Sequence, residues 1–93
     1  MSDRSDNVVF VGSRPPMNYV LAVATRFHDG AEEVVIRARG RAITNAVDVA
    51  EIVRGRFLND VRPASIEIGT DAVEREGGGK ANVSTISITL RRS

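Results

Sequence analysis

The 93-residue sequence lacks cysteine altogether and contains a single histidine, His28. Without cysteine the chain can form no disulfide bond and no thiolate metal site, and such chains are typical of reducing, intracellular compartments. No apolar run approaches the length of a membrane span, and the polar residues 1–7 do not fit a signal peptide. We therefore expect a cytoplasmic protein without a membrane partner.

Catalytic and cofactor-binding patterns are also missing. His28 stands beside Asp29 at the end of a predicted helix, where a solvated side chain interacting with the helix dipole is far more common than a catalytic base. No nucleotide-binding glycine motif occurs, and residues 77–80 (GGGK) are followed by no helix whose N-terminus could hold a phosphate. The acidic residues are scattered, which does not suit a metal site. We expect no enzymatic activity, no cofactor and no bound metal.

The formal net charge is only +1, which speaks against a nucleic-acid-binding role, but local charge is more informative than the total. Of the 13 basic residues only Lys80 is a lysine, and the forked guanidinium groups of the arginines suit contacts with phosphate. Residues 34–47 carry Arg37, Arg39 and Arg41 without any acidic residue. The basic charge is therefore concentrated in one part of the chain.

The order of apolar patterns predicts a single domain over residues 1–93 with the element order β-α-β-α-β-β. We predict strands over residues 7–11, 33–39, 65–73 and 82–91, and helices over residues 16–28 and 43–58. A glycine-containing hairpin tip spans residues 74–80, and residues 1–6 form a flexible N-terminus. This order predicts an α/β (α+β) two-layer sandwich in which both helices pack on one face of a four-stranded sheet.

Side-chain periodicity predicts which faces are buried. Residues 7–11 (NVVFV) are nearly all apolar and are expected to form a strand buried on both faces. The strand over residues 33–39 alternates, so Arg37 and Arg39 share the face opposite its apolar side chains. The apolar stripe of the first helix comprises Met17, Val20, Leu21, Ala24 and Phe27.

The second helix is too apolar for a helix packed on a sheet. Its apolar residues cover roughly 240° of the circumference, whereas a surface helix needs about 100° or somewhat more. Val49 and Ile52 lie well away from the central stripe. Burial of the helix deep within its own fold is one explanation, but a two-layer domain of this length cannot surround a helix on so many sides. We therefore favour a subunit interface.

The run over residues 37–42 (RARGRA) concentrates three guanidinium groups, because Gly40 allows a turn that brings Arg41 toward Arg37 and Arg39. Such groups repel one another unless an anion lies between them. The pattern fits phosphate binding, and it also fits a solvated strand face that pairs with carboxylates of neighbouring strands. The local pattern leaves both interpretations open.

Several blocks of the sequence together resemble the Alba family of small archaeal chromatin proteins. The most specific are residues 16–22 (PMNYVLA) and 37–43 (RARGRAI), and the resemblance extends in order over nearly the whole chain. The other matching blocks are residues 7–9 (NVV) with Gly12, 46–48 (AVD), 51–54 (EIVR), 56–58 (RFL) and 83–86 (VSTI).

The resemblance implies a dimer with a fold like the C-terminal domain of translation initiation factor three, whose hairpin arms reach toward the minor grooves of double-stranded DNA. It implies binding of both DNA and RNA with little sequence preference, and association with the chromosome. Phe57 matches an aromatic residue that joins neighbouring dimers, although by position alone an aromatic near a helix end is more often part of the core. The nucleic-acid-binding residues expected from the resemblance and from the charge pattern are Ser13, Arg14, Asn18, Arg39, Arg41, Arg75 and Lys80.

The sequence departs from the family pattern at one regulatory position. Members of the family usually carry two adjacent lysines where this chain has Ser13 and Arg14, and acetylation of the first lysine weakens DNA binding. Arg14 can still hold a phosphate, but Ser13 has no amine to acetylate, so this form of control is not expected here.

The sequence leaves two other functions open. The chain could be an RNA-binding subunit of a ribonucleoprotein such as a ribonuclease P-like particle, since phosphate-driven binding serves both roles. A protein-interaction module that uses the sheet edge would leave the arginine cluster unexplained. The second subunit of the dimer could be another copy or a paralogue.

Overall fold

A computed structural model describes residues 7–93 of the chain, and the prediction of a flexible segment over residues 1–6 lies outside this range. The predicted α+β fold class is confirmed: two helices cover one face of a four-stranded mixed sheet. The elements are β1 (Val8–Phe10), α1 (Pro16–His28), β2 (Glu33–Arg39), α2 (Ala42–Ile52), a π-helical segment (Val53–Phe57), β3 (Val61–Glu74) and β4 (Lys80–Arg92).

The sheet has the strand order β1-β2-β4-β3, with β1 parallel to β2 and the other neighbours antiparallel. Its helix-bearing face is apolar, and the alternation predicted for β2 is confirmed, since Val34, Ile36 and Ala38 are buried whereas Arg37 and Arg39 are exposed. Within residues 7–93, no helix packs on the opposite face. The two faces of the sheet therefore differ sharply in chemistry.

Helix α1 begins and ends where its sequence signals predict. Pro16 occupies its first turn, where a missing N–H costs nothing. At its end Gly30 adopts a φ of +107°, the N–H of Ala31 donates to the carbonyl of Arg26, and the N–H of Gly30 donates to the carbonyl of Phe27, both at 3.1 Å. This is a Schellman motif, which favours glycine because of the left-handed backbone.

The predicted apolar stripe of α1 is only partly right. The buried residues are Val20, Val23 and Phe27, whereas Met17 and Leu21 are exposed. The stripe is rotated because the helix packs against α2 as well as against the sheet. Periodicity within one helix cannot show which neighbours it will have.

The expectation that a two-layer domain cannot cover the wide apolar arc of the second helix is wrong. Val49 is fully buried, as are Ala46 and Val53, and Ile52 is partly buried against the core. Helix α2 contacts β2 and β4 on one side and α1 on another, so a wide apolar arc is covered within one chain. The width of this arc therefore does not require a partner subunit.

The prediction for β1 is also wrong in one respect, because the strand is buried on one face only. Val9 and Val11 point into the core, and Phe10 lies on the open face of the sheet with 70% of its surface exposed. An apolar run at the edge of a sheet with one uncovered face cannot bury both sets of side chains.

Strand β3 begins earlier than predicted, at Val61, and contains Pro63. Proline lacks the N–H needed for a ladder hydrogen bond and is tolerated only at edges and bulges. Both conditions hold, since β3 is an edge strand and its register with β4 shifts between Pro63 and Ser65.

The hairpin of β3 and β4 continues beyond the rest of the sheet. Strand β2 pairs with β4 as far as Arg39 opposite Thr85, and from there to Lys80 strand β4 pairs with β3 alone. At about 3.3 Å per residue, this two-stranded arm extends about 17 Å past the end of β2. At the tip of the arm Glu74 pairs with Lys80, and three glycines with positive φ close the turn.

Candidate nucleic-acid interface

Three arginines lie at the C-terminal end of β2 and in the turn that follows. Arg37 and Arg39 are exposed on the open face of the sheet, and Arg41 is exposed at the start of α2. Gly40 sets the direction of the turn with a φ of +59°, and its N–H donates to the carbonyl of Ser84 at 2.8 Å. A Cβ at this position would lie 3.2 Å from Cγ1 of Val83, so both the backbone and the space favour glycine.

These three guanidinium groups have no carboxylate partner among residues 7–93. The ion pairs in the described part of the chain use other arginines: Glu33–Arg91 at 2.8 Å, Asp60–Arg92 at 2.9 Å and Glu51–Arg54 at 3.1 Å. Pairing with carboxylates of neighbouring strands, one of the two interpretations of the pattern, is therefore not seen in this range. The positive charge at the end of β2 is available to an external anion.

The loop between β1 and α1 carries Ser13 and Arg14, both exposed. The side-chain amide of Asn45, in the first turns of α2, donates to the carbonyl of Gly12 at 2.9 Å and to that of Arg14 at 2.8 Å. The N–H of Arg14 in turn donates to the hydroxyl of Tyr19 at 3.3 Å. These contacts hold the loop against both helices and restrict where the side chain of Arg14 can reach.

No sequence motif indicates a functional role for Asn45 or Tyr19. Tyr19 lies within the block 16–22 that carries the resemblance, but nothing in the block shows that its hydroxyl accepts a hydrogen bond from the loop. An asparagine near a helix start is common, and its partners lie 31 and 33 residues away in the chain.

Topology brings the loop and the arginine turn to the same end of the sheet. Because β1 and β2 are parallel, the segments that follow them begin at the same end of the sheet. The first of these segments carries Arg14, and the second carries Arg41. Asn18 is exposed in the first turn of α1 next to this loop. Of the seven predicted binding residues, five are thus placed at one end of the molecule: Ser13, Arg14, Asn18, Arg39 and Arg41.

Arg75 and Lys80 are placed elsewhere, at the tip of the arm. The arm projects from the same end of the sheet, because the N-terminal part of β4 continues past the C-terminal end of β2. Its tip lies about 17 Å beyond Arg39 along the strand direction. The two groups of predicted residues therefore lie in two separate regions of the surface, both at the same end of the sheet.

Phe57 ends the π-helical segment, at the far end of α2 from the arginine turn. Its surface is 48% exposed, so the expectation from position alone, a core aromatic, is wrong. The role in joining dimers that the resemblance implies stays a prediction.

Residues 7–93 contain no group of three histidine, cysteine, aspartate or glutamate side chains placed to hold a metal ion. None of the helices in this range has the length and apolar character required to cross a bilayer.

Comparison with known proteins gives a consistent result. A model of the Alba family matches residues 7–70. The chain is 59% identical to the DNA/RNA-binding protein Alba of Methanocella arvoryzae over 87 residues, covering 94% of this chain and 91% of the relative. It is likewise 59% identical to the DNA/RNA-binding protein Alba 1 of Archaeoglobus fulgidus over 88 residues, covering 95% and 98% of the two chains.

A solved structure shares the fold. The Alba structure from Thermoplasma volcanium superimposes with a TM-score of 0.88 at 49% identity, and the match covers 92% of this chain and all of the other.

Proposed function

Since the chain belongs to the Alba family, we propose that it binds double-stranded DNA without sequence preference, coats and compacts it as a dimer, and also binds RNA. The observation that carries this proposal is the set of three arginines at the end of β2, next to the loop of Arg14, that have no carboxylate partner among residues 7–93. Contacts of this kind with phosphate give affinity and position without reading the base sequence. The role is binding rather than catalysis.

The shape of the molecule supports two kinds of contact with a duplex. The end of the sheet presents a short, anchored set of guanidinium groups that suits the phosphate backbone. The two-stranded arm extends about 17 Å further and carries Arg75 and Lys80 at its tip, where they can reach toward a groove. In this proposal the protein is cytoplasmic and associated with the chromosome, and acetylation at residue 13 does not regulate it because Ser13 has no amine.

We expect duplex DNA of unrelated sequences to bind with about equal affinity at a fixed salt concentration. The measurement compares duplex DNA, duplex RNA and a structured RNA under identical conditions, because affinities for nucleic acids at different salt concentrations cannot be compared. Markedly tighter binding of the structured RNA would favour the alternative function, a subunit of a ribonucleoprotein. Failure to bind any of the three would contradict nucleic-acid binding altogether.

Dimerisation is supported by apolar residues that one chain leaves uncovered. Ile66 and Ile68 lie opposite Ile88 and Ile86 on the helix-bearing face of the sheet, yet they belong to the edge strand β3 and Ile68 is 84% exposed. Exposed apolar clusters of this kind are typical of interaction surfaces. The second subunit is another copy or a paralogue.

Sedimentation of the purified chain at micromolar concentration should give about twice the chain mass of 10.1 kDa. The Ile68→Asp variant should sediment as a monomer, because a charge in an apolar interface is costly. Its circular dichroism should be unchanged. A wild-type chain that stays monomeric at this concentration would contradict the dimer.

Replacing Phe57 by alanine should reduce the cooperativity of DNA binding and leave folding nearly intact. A buried phenylalanine costs about 3–5 kcal/mol when truncated, whereas a half-exposed one should cost about 1–2 kcal/mol. Thermal melting and a DNA titration on the same variant separate the two effects. A strongly lowered melting temperature with unchanged cooperativity would show that Phe57 serves folding and not contacts between dimers.

A further inference from the structure

The open face of the sheet carries an aromatic side chain that the fold does not use. Phe10 points away from the core because its neighbours Val9 and Val11 point into it. Its position is fixed by the ladder with β2, in which Phe10 lies opposite Arg37 and the N–H of Val11 donates to the carbonyl of Arg37 at 2.8 Å. Because 70% of its surface is exposed, the phenyl ring contributes little to folding and is accessible to a ligand.

Arg37 is the immediate neighbour of this ring. Its guanidinium carbon lies 5.8 Å from the ring centroid, within the range of a cation–π contact. Arg37 has no carboxylate partner among residues 7–93, so its charge is not neutralised within this range. Phe10 and Arg37 therefore form an exposed pair of one flat apolar surface and one cation.

The pair lines one side of an open depression of about 410 Å³ on the sheet face. Arg39 borders the same depression and continues into the arginine turn, while Thr85 and Asp71 supply a hydroxyl and a carboxylate. The depression is thus continuous with the surface proposed to hold phosphate. Its aromatic side, however, offers nothing to a phosphate.

We propose that Phe10 and Arg37 form a stacking site for an unpaired nucleobase of single-stranded nucleic acid, with Arg37 and Arg39 holding the adjoining phosphates. Bases within a duplex are stacked on one another and cannot reach a ring on a sheet face, whereas unpaired bases stack readily on exposed aromatic side chains and arginine planes. The site rests on the proposed nucleic-acid binding, and it adds a preference for unpaired segments that phosphate contacts alone do not provide.

The Phe10→Leu variant tests the site, because leucine keeps an apolar side chain and removes the aromatic face. It should bind a short oligothymidylate about ten-fold more weakly than the wild type, and its affinity for duplex DNA should be unchanged. The Phe10→Tyr variant keeps a ring and should retain wild-type affinity for both. Measuring the affinity for oligouridylate in parallel with that for oligothymidylate shows whether the site prefers the unpaired bases of RNA or of DNA.

An abasic oligonucleotide of the same length and charge as the oligothymidylate is the matched control ligand. The wild type should prefer oligothymidylate to the abasic chain by about ten-fold, and the Phe10→Leu variant should no longer discriminate between them. The Phe10→Trp variant provides a direct signal, since the sequence contains no tryptophan and stacking of a base should quench its emission. Oligothymidylate should quench it, and the abasic chain should not.

The site would be disproved if the Phe10→Leu variant bound oligothymidylate as tightly as the wild type, or if the wild type did not distinguish it from the abasic chain. If duplex DNA still bound, either result would contradict the stacking site without contradicting the proposed function. Loss of all binding in the wild type would instead contradict the proposed function itself.

Discussion

The double variant Arg39→Ala/Arg41→Ala should bind duplex DNA about 60-fold more weakly than the wild type at a salt concentration of about 0.1 M. Each phosphate contact contributes about 0.9 to the slope of log affinity against log salt concentration, because counterions are released when the contact forms. Two lost contacts should therefore make the slope shallower by about two, and the difference from the wild type should disappear near 1 M salt. The loss should be the same for all duplex sequences.

A control of equal charge separates specific contacts from the overall charge. Arg54 and Arg62 are exposed and lie away from the arginine turn, and Arg54 pairs with Glu51. The variant Arg54→Ala/Arg62→Ala loses the same two charges and should keep nearly the wild-type slope. An unchanged slope for the Arg39→Ala/Arg41→Ala variant would show that these side chains do not touch phosphate, and equal losses in both variants would assign the effect to net charge.

The Phe27→Ala variant should lose about 3–5 kcal/mol of the free energy of unfolding, from a total of about 5–15 kcal/mol for a domain of this kind. Phe27 is 1% exposed and is the largest fully buried side chain of the core. The guanidinium carbon of Arg92 lies 5.4 Å from its ring centroid, and Nη2 of Arg92 donates to its carbonyl at 2.9 Å. Truncation therefore leaves a cavity in the core and removes the ring that contacts the guanidinium group of Arg92, whereas the hydrogen bond from Arg92 to the backbone carbonyl of residue 27 does not depend on the side chain.

Phe10 offers a matched control for this measurement because it is the same residue type in an exposed position. The Phe10→Ala variant should lose less than about 1 kcal/mol, since little apolar surface is buried there. Chemical unfolding of both variants, followed by circular dichroism, compares the two directly. Similar losses in the two variants would contradict the assignment of Phe27 to the core and of Phe10 to the open face.

Local patterns in the sequence predicted the order of the elements well. Proline at the start of α1 and glycine after its end act on the backbone of the same turn, so both boundaries were predicted correctly. The alternation of β2 placed Arg37 and Arg39 on the solvent face for the same reason, since it depends only on successive residues of one strand. The start of β3 was missed because Pro63 usually ends a strand, and only an edge position with a bulge makes it acceptable.

Some features of the candidate site can likewise be predicted from the sequence, and others depend on the tertiary structure. That arginines concentrate at residues 37–41 is a property of the sequence alone, and so is the family resemblance. The tertiary structure decides that these arginines have no carboxylate partner in the described range. It also holds the loop of Arg14 beside them through Asn45, whose partners lie more than 30 positions away in the chain. Such contacts form only because the parallel strands β1 and β2 bring the segments that follow them to the same end of the sheet.

By itself the sequence determined the element types, the chain's membership of a family and the concentration of positive charge, because each is encoded in neighbouring residues or in the order of motifs. Only the tertiary structure decided which apolar side chains are buried. It buried Val49 in the core, and it left Phe10 and Ile68 exposed although both are as apolar as the core residues. Burial depends on which surface of a second element covers a side chain, and that is decided by packing between segments distant in the chain.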